Sequence, residues 1–380
     1  MRSPKLVLDS LTKMSLKPNY QFERLYRNFY NEQFYNNCDV ENLINLIKTE
    51  KYQPQKLVSN SKNIQEQDNL VVNILVQILE AIYKNKFINQ NSNPHIALLK
   101  CEGVQNINYF INAEVLNFNV DTLMKILGYT INDKKFLNLI RKFLKAGYLD
   151  CVAYDKTYSG TPIRGKLGNL LTEIYLLEYD KFIMSNKNIF YVRYKNKLLI
   201  GCPHNKIEIP FIKEETHNFY KEIQIISSTY KETWFLNYKI KVIDGKTKLF
   251  IPRKIWVDFL KKYGALNIEN TKWISYHRPY LKDASDLEIF TQYNKEITKL
   301  YTYYRLAYNV SVLNKFNYIM KYSCAKTLAN KYKSSVRKIL TKYSVEGNFA
   351  LITEDGVYYF YNQGFKTNLK IDYKYNDRLC

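Results

Sequence analysis

Residues 303–343 read YYRLAYNVSVLNKFNYIMKYSCAKTLANKYKSSVRKILTKY, a helix-forming stretch with an unusual charge balance. Between positions 301 and 345 the chain carries nine Lys and Arg residues and no Asp or Glu. A solvated helix face usually mixes both signs, because opposite charges three or four positions apart stabilise the helix. The lack of acidic residues therefore favours an anionic partner for this stretch.

Apolar residues in the second half of this stretch recur at helical spacing. Leu328, Tyr332, Val336 and Ile339 are four, four and three positions apart, which predicts one helix that buries this face. Basic residues border the face on both sides. The candidate phosphate-binding residues are Arg305, Lys315, Lys326, Lys331, Lys333, Arg337, Lys338 and Lys342. The alternative is that their aliphatic stems cover the core and their charged ends are only solvated.

The whole chain shares this basic character. Its 380 residues include 57 Lys and Arg against 35 Asp and Glu, a formal net charge of +22, together with 35 tyrosines. Such a charge attracts polyanions, and counterion release makes nucleic acid the leading class of partner. Tyrosines among lysines suit unpaired RNA bases, which stack on aromatic rings. The bias towards Tyr, Lys, Asn and Ile also follows from AT-rich codons, which indicates an organelle genome.

Several classes of protein are disfavoured by the residues that are scarce or scattered. The cysteines form no CxxC pair, so neither a zinc site nor a disulfide framework is predicted, and Cys202 with His204 is an isolated pair. No cofactor is expected. No apolar run reaches the ~18 residues of a membrane span, and the N-terminus lacks a signal peptide and makes a poor transit peptide. We expect a soluble protein synthesised inside the organelle.

Hydrophobic patterning predicts alternating helices and strands along the chain. Residues 107–120 predict a strand, 189–202 two short strands around a polar turn, and 213–226 a helix. A hairpin is predicted to turn at Asp244-Gly245. From about 253 to 343 we expect mainly helix, followed by a short β-rich tail that turns near Gly356.

Six strings between about residues 20 and 345 resemble, in the correct order, the group II intron reverse transcriptase/maturase family. NYQFERLYRNFYN at 19–31 is similar to the family's N-terminal RNA-binding start, and INDKKFLNLIRKFLKAGYLD at 131–150 to a palm helix. The others resemble the GTPQGG loop and its helix at 158–183, the YADD hairpin at 189–201, the FLGY strand at 234–240, and domain X. The domain X signature SxxKTLAxK is matched by Ser323, Lys326, Thr327, Leu328 and Lys331.

The departures from these motifs concern the polymerase centre. Where the family writes YADD, this chain has Tyr194, Lys195, Asn196 and Lys197, and Glu114 replaces the aspartate of the first palm strand. Two-metal nucleotidyl transfer needs several carboxylates. One carboxylate beside two lysines does not supply them, so the resemblance implies a degenerate reverse transcriptase without catalytic residues or metal.

Two further departures point in the same direction. Ile163 and Arg164 replace Gln and Gly in the GTPQGG loop, where glycine allows close backbone approach. About fifteen polar residues after Tyr52 stand in place of the family's long basic finger ribbon.

The fold implied by the resemblance is α+β, a reverse-transcriptase-like palm with reduced fingers followed by a helical thumb. The expected divisions are an N-terminal basic helical RNA-binding region at 1–51, degenerate fingers and palm at 52–250, maturase domain X at 251–345 and a tail at 346–380. Within domain X, Ser323, Thr327 and Leu328 are expected to be structural, and Tyr303 and Tyr304 to pack in the core.

The function implied is that of a maturase that binds structured intron RNA and assists its splicing. Arg24 and Arg27 join the RNA-binding candidates, and the compartment implied is a plastid in preference to a mitochondrion. Other splicing factors are possible partners, whereas a membrane is not. Three alternatives remain open: an active or residual RNA-dependent DNA polymerase, a general RNA-binding factor without intron specificity, and a decaying reading frame.

Overall fold

The computed structural model describes residues 2–35, 39–56, 66–88, 93–115, 119–147, 163–186, 188–202, 208–219, 221, 223–269 and 272–370. The chain divides into two compact units. The first unit comprises Met1–Asn91 and Ile111–Ser228, and the second comprises Ser92–Phe110 and Thr229–Cys380. The loop at 158–162, His204 and the side chains of Ile163 and Arg164 lie outside the described part, as do Cys38, Cys151 and Cys380.

Helices contribute most of the described secondary structure. In chain order they are α1 Pro4–Ser15, α2 Glu41–Lys48, α3 Glu66–Tyr83, α4 Pro94–Lys100, α5 Val120–Thr130, α6 Lys134–Lys145, α7 Ile163–Ser185, α8 Glu208–Phe219, α9 Arg253–Lys262, α10 Asp286–Tyr304, α11 Leu313–Lys331 and α12 Val336–Lys342. Short 3-10 helices at Leu25–Tyr30 and Glu32–Tyr35 form part of the predicted N-terminal helical region.

Strands form several small sheets. They are β1 Tyr109–Val115, β2 Phe190–Tyr194, β3 Lys197–Cys202, β4 Ile223–Tyr230, β5 Glu232–Phe235, β6 Tyr238–Ile243, β7 Lys246–Phe250, β8 Leu266–Glu269, β9 Lys272–Ser275, β10 Ser344–Val345, β11 Asn348–Thr353 and β12 Gly356–Tyr359. The mixed helix-and-sheet class expected from the sequence is confirmed, whereas the palm, finger and thumb assignments stay predictions.

The core of the first unit is formed by the apolar faces of helices, which pack against one another and against the sheet. Helix α6 begins at Asp133, whose carboxylate accepts hydrogen bonds from the backbone N–H groups of Lys135 and Phe136. Its residues Phe136, Ile140 and Phe143 are fully buried, because their three- and four-residue spacing places them on one face. Helix α3 packs in the same way against α7.

A four-stranded sheet in the order β2-β3-β1-β4 carries the hairpin that the sequence predicted at 189–202. Strands β2 and β3 are antiparallel, and Tyr194 pairs with Lys197 across the turn. The prediction of a helix over 213–226 was partly wrong, since α8 ends at Phe219 and β4 begins at Ile223. Residues 223–230, IQIISSTY, are rich in β-branched side chains, which favour strand over helix.

The second unit contains a three-stranded sheet in the order β5-β6-β7. Its predicted turn at Asp244-Gly245 is confirmed, with both residues at positive φ of 51° and 71°. A second turn at Leu236-Asn237, with φ of 47° and 61°, splits residues 234–240 into two strands where one was predicted. The β8–β9 hairpin interrupts the region predicted to be mainly helical, and the β-rich tail is confirmed by β10–β12.

Candidate nucleic-acid interface

The basic stretch at 303–343 is two helices and not the one continuous helix predicted for its second half. Helix α11 ends at Lys331, and Lys333 follows with a left-handed φ of 47°. The hydroxyl of Ser335 then accepts a hydrogen bond from the N–H of Lys338 and caps α12. As a result Tyr332 is 43% exposed, while Leu328 and Ile339 are buried as predicted.

Two of the candidate phosphate-binding lysines donate to groups of the protein itself. The ammonium of Lys326 donates to the carbonyl of Ser275 at 2.6 Å. The ammonium of Lys331 lies 2.8 Å from Oδ1 of Asp286 and 2.7 Å from the carbonyl oxygen of Ala284. Their proposed contacts with RNA stay predictions, and the structure gives both lysines a role in holding the fold.

The carboxylate of Asp286 binds the ammonium of Lys331 and the hydroxyl groups of two tyrosines. The hydroxyl of Tyr332 donates to the carboxylate at 2.8 Å, and that of Tyr343 donates to the same group. Partial burial tends to raise the pKa of Asp286, but the donors Lys331, Tyr343 and Tyr332 outweigh it and lower that pKa. The start of helix α10 could have been found in the sequence, because Ser285 and Glu288 have the spacing of a capping box. In the structure their side chains form that box at the N-terminus of α10.

The domain X signature residues expected to be structural lie in a buried polar network. The hydroxyl of Tyr293 is 2.8 Å from Oγ of Ser323 and 3.0 Å from Oγ1 of Thr327. The backbone N–H of Arg278 donates to Thr327 Oγ1 at 3.0 Å. Ser323 and Thr327 are almost fully buried, and so is Leu328, which confirms their structural role.

An ion pair that the sequence gave no means of finding lies beside this network. Nη1 of Arg278 is 2.8 Å from Oε2 of Glu296, and both side chains are buried. The guanidinium of Arg278 also stacks over the ring of Tyr293 at 4.0 Å. Burial raises the pKa of Glu296, although the positive charge of Arg278 opposes that shift.

Four basic residues at and before α12 point into solvent, and we call Lys333, Arg337, Lys338 and Lys342 the α12 ridge. Within the described part of the chain, no acidic side chain pairs with any of them. The ammonium of Lys342 lies 4.5 Å from the centre of the Tyr332 ring. Arg337 also lines a groove of about 520 Å³ together with Tyr322, Val336, Leu340, Thr341 and Ser344. Lys315, on α11, is likewise exposed.

The remaining candidates from the start of the stretch have internal partners. Nη2 of Arg305 donates to the carbonyl of Lys370 at 2.7 Å. Tyr303 and Tyr304 are 1% and 2% exposed, which confirms the prediction that they pack in the core. The hydroxyl of Tyr303 donates to the carbonyl of Leu236 at 2.6 Å, so it is not available to a base.

In the first unit, Arg24 directly precedes the 3-10 helix at Leu25–Tyr30, and Arg27 lies within it. Both side chains are exposed, and Arg24 has a left-handed φ of 58° at the start of the helix. Leu25 and Phe29 bury the opposite side. The two arginines therefore present positive charge to solvent.

The structure brings together two of the three positions at which the resemblance expects polymerase carboxylates. Nδ2 of Asn196, in the turn between β2 and β3, donates to Oε1 of Glu114 at 3.0 Å and to the carbonyl of Val115 at 3.1 Å. Lys195 adopts a left-handed φ of 53° in this turn, and Lys197 is exposed at the start of β3. The amide of Asn196 thus contacts the one carboxylate, and two lysines flank Asn196 in the chain.

A buried arginine, which the sequence analysis did not identify, stabilises the turn between β2 and β3. Arg193, on β2, binds the Asp180 carboxylate at 2.6 Å and that of Glu173 at 2.8 Å, both through Nη2. Its Nη1 donates to the carbonyl of Lys195 at 2.9 Å. These charge-assisted hydrogen bonds fix the turn that presents Asn196.

The described residues contain no group of three or more His, Cys, Asp or Glu side chains placed to hold a metal ion. Among them no helix is both long and apolar enough to cross a bilayer. Cys101, Cys202 and Cys324 are buried, and none of them is part of a disulfide among the described residues.

The chain is similar to known proteins over most of its length. Residues 244–377 match the family model described as type II intron maturase. Group II intron-encoded protein LtrA of Lactococcus lactis subsp. cremoris is 29% identical over an alignment of 417 positions, gaps included, which covers 80% of this chain and 69% of the relative. Maturase K of Marchantia polymorpha is 26% identical over 293 residues, covering 69% of this chain and 73% of the relative.

Among solved structures, telomerase from Candida albicans in complex with a TWJ fragment of telomeric RNA covers 81% of this chain and 59% of its own. Its TM-score of 0.29 and sequence identity of 11% are too low to assign a fold.

Proposed function

Because the chain belongs to the group II intron maturase and reverse transcriptase family, we propose that it is a splicing maturase that binds structured intron RNA and has no polymerase activity. The observation that carries this proposal is the α12 ridge. Its exposed cations lie in a segment without acidic residues, inside the part of the chain that matches the maturase family model. Exposed cations without acidic partners suit the neutralisation of RNA phosphates.

The mechanism requires binding and no catalytic residue. A maturase that binds the compact intron more tightly than misfolded forms shifts the RNA towards the compact form by that difference in affinity. The transesterifications are then performed by the RNA. Phosphate contacts are assigned to the α12 ridge, Lys315, Arg24 and Arg27, with domain X at 251–345 as the principal RNA-binding region and 1–51 as a second.

We infer the absence of polymerase activity from the side chains at the positions where the resemblance expects the metal centre. A two-metal centre needs carboxylates from two neighbouring strands, and here the amide of Asn196 occupies an oxygen of Glu114. The ammonium groups of Lys195 and Lys197 are the wrong charge for Mg²⁺. Primer extension on poly(A) with Mg²⁺ tests this, and we expect no incorporation above a reaction without protein. Incorporation above that level would overturn this part of the proposal.

Intron specificity is tested by sequencing the RNA that co-purifies with the protein from its native compartment. We expect one or a few introns, and their recovery should fall in the R337A/K338A variant. The variant K125A/K295A removes the same charge at exposed lysines of α5 and α10 and serves as the control. A broad RNA population without intron enrichment would favour a general RNA-binding factor instead.

We also propose an organelle as the site of action, a plastid in preference to a mitochondrion, with other splicing factors as additional partners. The AT-rich codons implied by the abundant Lys, Asn, Tyr and Ile support an organelle genome. Detection of the protein in purified plastids tests the compartment, and its recovery from mitochondria alone would contradict the plastid assignment.

A further inference from the structure

The β5–β7 sheet of the second unit has one buried side and one side that faces solvent. Strand alternation places Phe235, Tyr238, Ile240 and Leu249 on the buried side. The residues on the solvent-facing side form rows that run across the three strands. In the first row Trp234 pairs with Lys239, and Lys239 pairs with Phe250. The next row consists of Glu232, Lys241 and Lys248, and the last pairs Ile243 with Lys246. We call these residues, with the adjoining Tyr308, the outer sheet face.

Three aromatic rings belong to the outer sheet face. Trp234 is 47% exposed and Tyr308 is 59% exposed, so both rings can be reached from solvent. The ring of Tyr308 lies edge-on to Phe250, with 5.7 Å between the centroids. Trp234 and Phe250 lie two strands apart, about 10 Å at the usual strand spacing, with Lys239 between them.

The charge on this face is predominantly positive. The face carries four lysines, Lys239, Lys241, Lys246 and Lys248, and one acidic residue, Glu232. The Glu232 carboxylate lies 2.7 Å from the ammonium of Lys239 and 4.0 Å from that of Lys241. In the described ranges, no acidic side chain lies within ion-pair distance of Lys246 or Lys248. The ammonium of Lys248 lies 4.3 Å from the centre of the Tyr308 ring, and that of Lys241 is 5.5 Å from Phe250. The charge of Lys248 also opposes the rise in the pKa of Glu102 that burial causes, so one acidic residue beside the sheet is near Lys248.

We propose that the outer sheet face binds a short unpaired segment of RNA, with bases stacked on Trp234 and Tyr308 and phosphates bound by Lys246 and Lys248. This proposal rests on the proposed function and specifies the form of RNA that one site takes. Exposed rings interleaved with cations match the two parts of a single-stranded nucleotide, the π-face of the base and the anionic phosphate.

The chemistry favours unpaired RNA over duplex RNA or a protein partner. In an A-form duplex the base faces are stacked on one another, so they are not open to a tyrosine or tryptophan ring. Protein interfaces are depleted in lysine relative to other surfaces, whereas this face has four lysines to one acidic residue.

The test measures binding of a 12-nucleotide oligouridylate to the full-length protein by fluorescence anisotropy. We expect W234A and Y308A each to weaken binding about tenfold, because one stacked base is lost. K246A/K248A should weaken it and flatten the dependence of log K on log salt by about 1.4, the single-strand value for two phosphates. The controls are Y129A, which removes a ring that is 78% exposed on α5, and K125A/K295A. Neither control should change oligouridylate binding by more than about twofold.

A second readout detects Trp234 without weakening the site. Trp256 is 5% exposed and Trp273 is half-buried, so Trp234 is the tryptophan most open to acrylamide. Oligouridylate should protect the wild-type protein from quenching, and this protection should be absent in W234F. Protection that persists in W234F would overturn the placement of a base on Trp234.

The outcomes separate this proposal from the proposed function. If intron RNA binds and depends on the α12 ridge while oligouridylate binding is insensitive to W234A and K246A/K248A, the outer sheet face is not an RNA site and the maturase proposal stands. If neither RNA binds, the proposed function is contradicted, and the proposal for the outer sheet face is contradicted with it. A dimer that forms without RNA and is dissociated by W234A would assign this face to a second copy of the chain and overturn the proposal.

Discussion

The amide nitrogen of Asn196 lies 3.0 Å from Oε1 of Glu114, and this hydrogen bond ties the β2–β3 turn to strand β1. The backbone strengthens the connection, because the N–H of Val115 donates to the carbonyl of Asn196 at 2.9 Å. Asn196 is 9% exposed, so its amide has little access to water. A position where the resemblance predicts a metal-binding carboxylate thus carries an amide that donates a hydrogen bond to Glu114.

We expect N196D to lower the free energy of unfolding by about 1–3 kcal/mol at pH 7. The change removes a donor to Glu114 and to the carbonyl of Val115, and it places a second carboxylate beside the first. Urea unfolding measures the loss. N196A removes the same donor without adding charge, so only N196D should recover stability relative to N196A when the pH falls from 7 to 4. Equal losses for both variants at pH 7 and pH 4 would show that repulsion with Glu114 is absent.

Asp286 is expected to make the second unit sensitive to acid. Its pKa is lowered in the folded protein, from an ordinary value of about 3.9. The stabilisation it provides is therefore fully present above about pH 5 and is lost as the pH falls through 4 and below. D286N should cost about 1–3 kcal/mol at pH 7, since it weakens acceptors for Lys331, Tyr332 and Tyr343.

Urea unfolding at pH 7 and at pH 3 checks this, and the difference between wild type and D286N should shrink at the lower pH. D121N is the matched control, because Asp121 is 81% exposed and its contact with Arg141 is 3.7 Å long. A difference for D286N that is the same at both pH values would contradict the lowered pKa.

Local patterns identified the elements whose geometry depends on neighbouring residues in the chain. The Asp244-Gly245 hairpin followed from the residues that tolerate positive φ, and the β2–β3 hairpin from two β-rich runs around a polar turn. The break after Lys331 escaped this reasoning, because the apolar spacing continues through it and only the φ of Lys333 reveals it. Sequence spacing alone does not distinguish one helix from two with a short left-handed link.

The partners of the candidate site residues could not be read from the sequence. Asp286 lies 45 positions from Lys331, and Ser275 lies 51 positions from Lys326. The stretch 301–345 has no acidic residue of its own, so its two motif lysines are satisfied from outside it. The outer sheet face could have been found, since lysines alternate with apolar residues through KIKVI and KTKLF at 239–250.

We expect E296Q to destabilise the protein by about 3–5 kcal/mol, because it leaves the Arg278 charge buried without a counter-charge. Arg278 is 1% exposed and its Nη1 lies 2.8 Å from Glu296. Replacement of both partners in R278M/E296M should cost less than E296Q alone, since no charge is then left buried. Urea unfolding measures both, with K295A on the exposed side of α10 as the control. A double variant less stable than E296Q would show that other contacts of Arg278, such as its stacking on Tyr293, dominate.

The salt dependence of intron RNA binding distinguishes the exposed α12 ridge from the lysines that hold the fold. R337A/K338A removes two exposed cations and should flatten log K against log salt by about 1.4–1.8, or 0.7–0.9 per phosphate contact. K326A removes a donor to the Ser275 carbonyl, so it should lower the free energy of unfolding by about 1 kcal/mol and leave the slope unchanged. K125A/K295A controls for the loss of two charges. A slope that is unchanged in R337A/K338A would contradict the ridge as a phosphate-binding surface. A slope reduced in K326A would mean that Lys326 exchanges its bond to Ser275 for one to RNA.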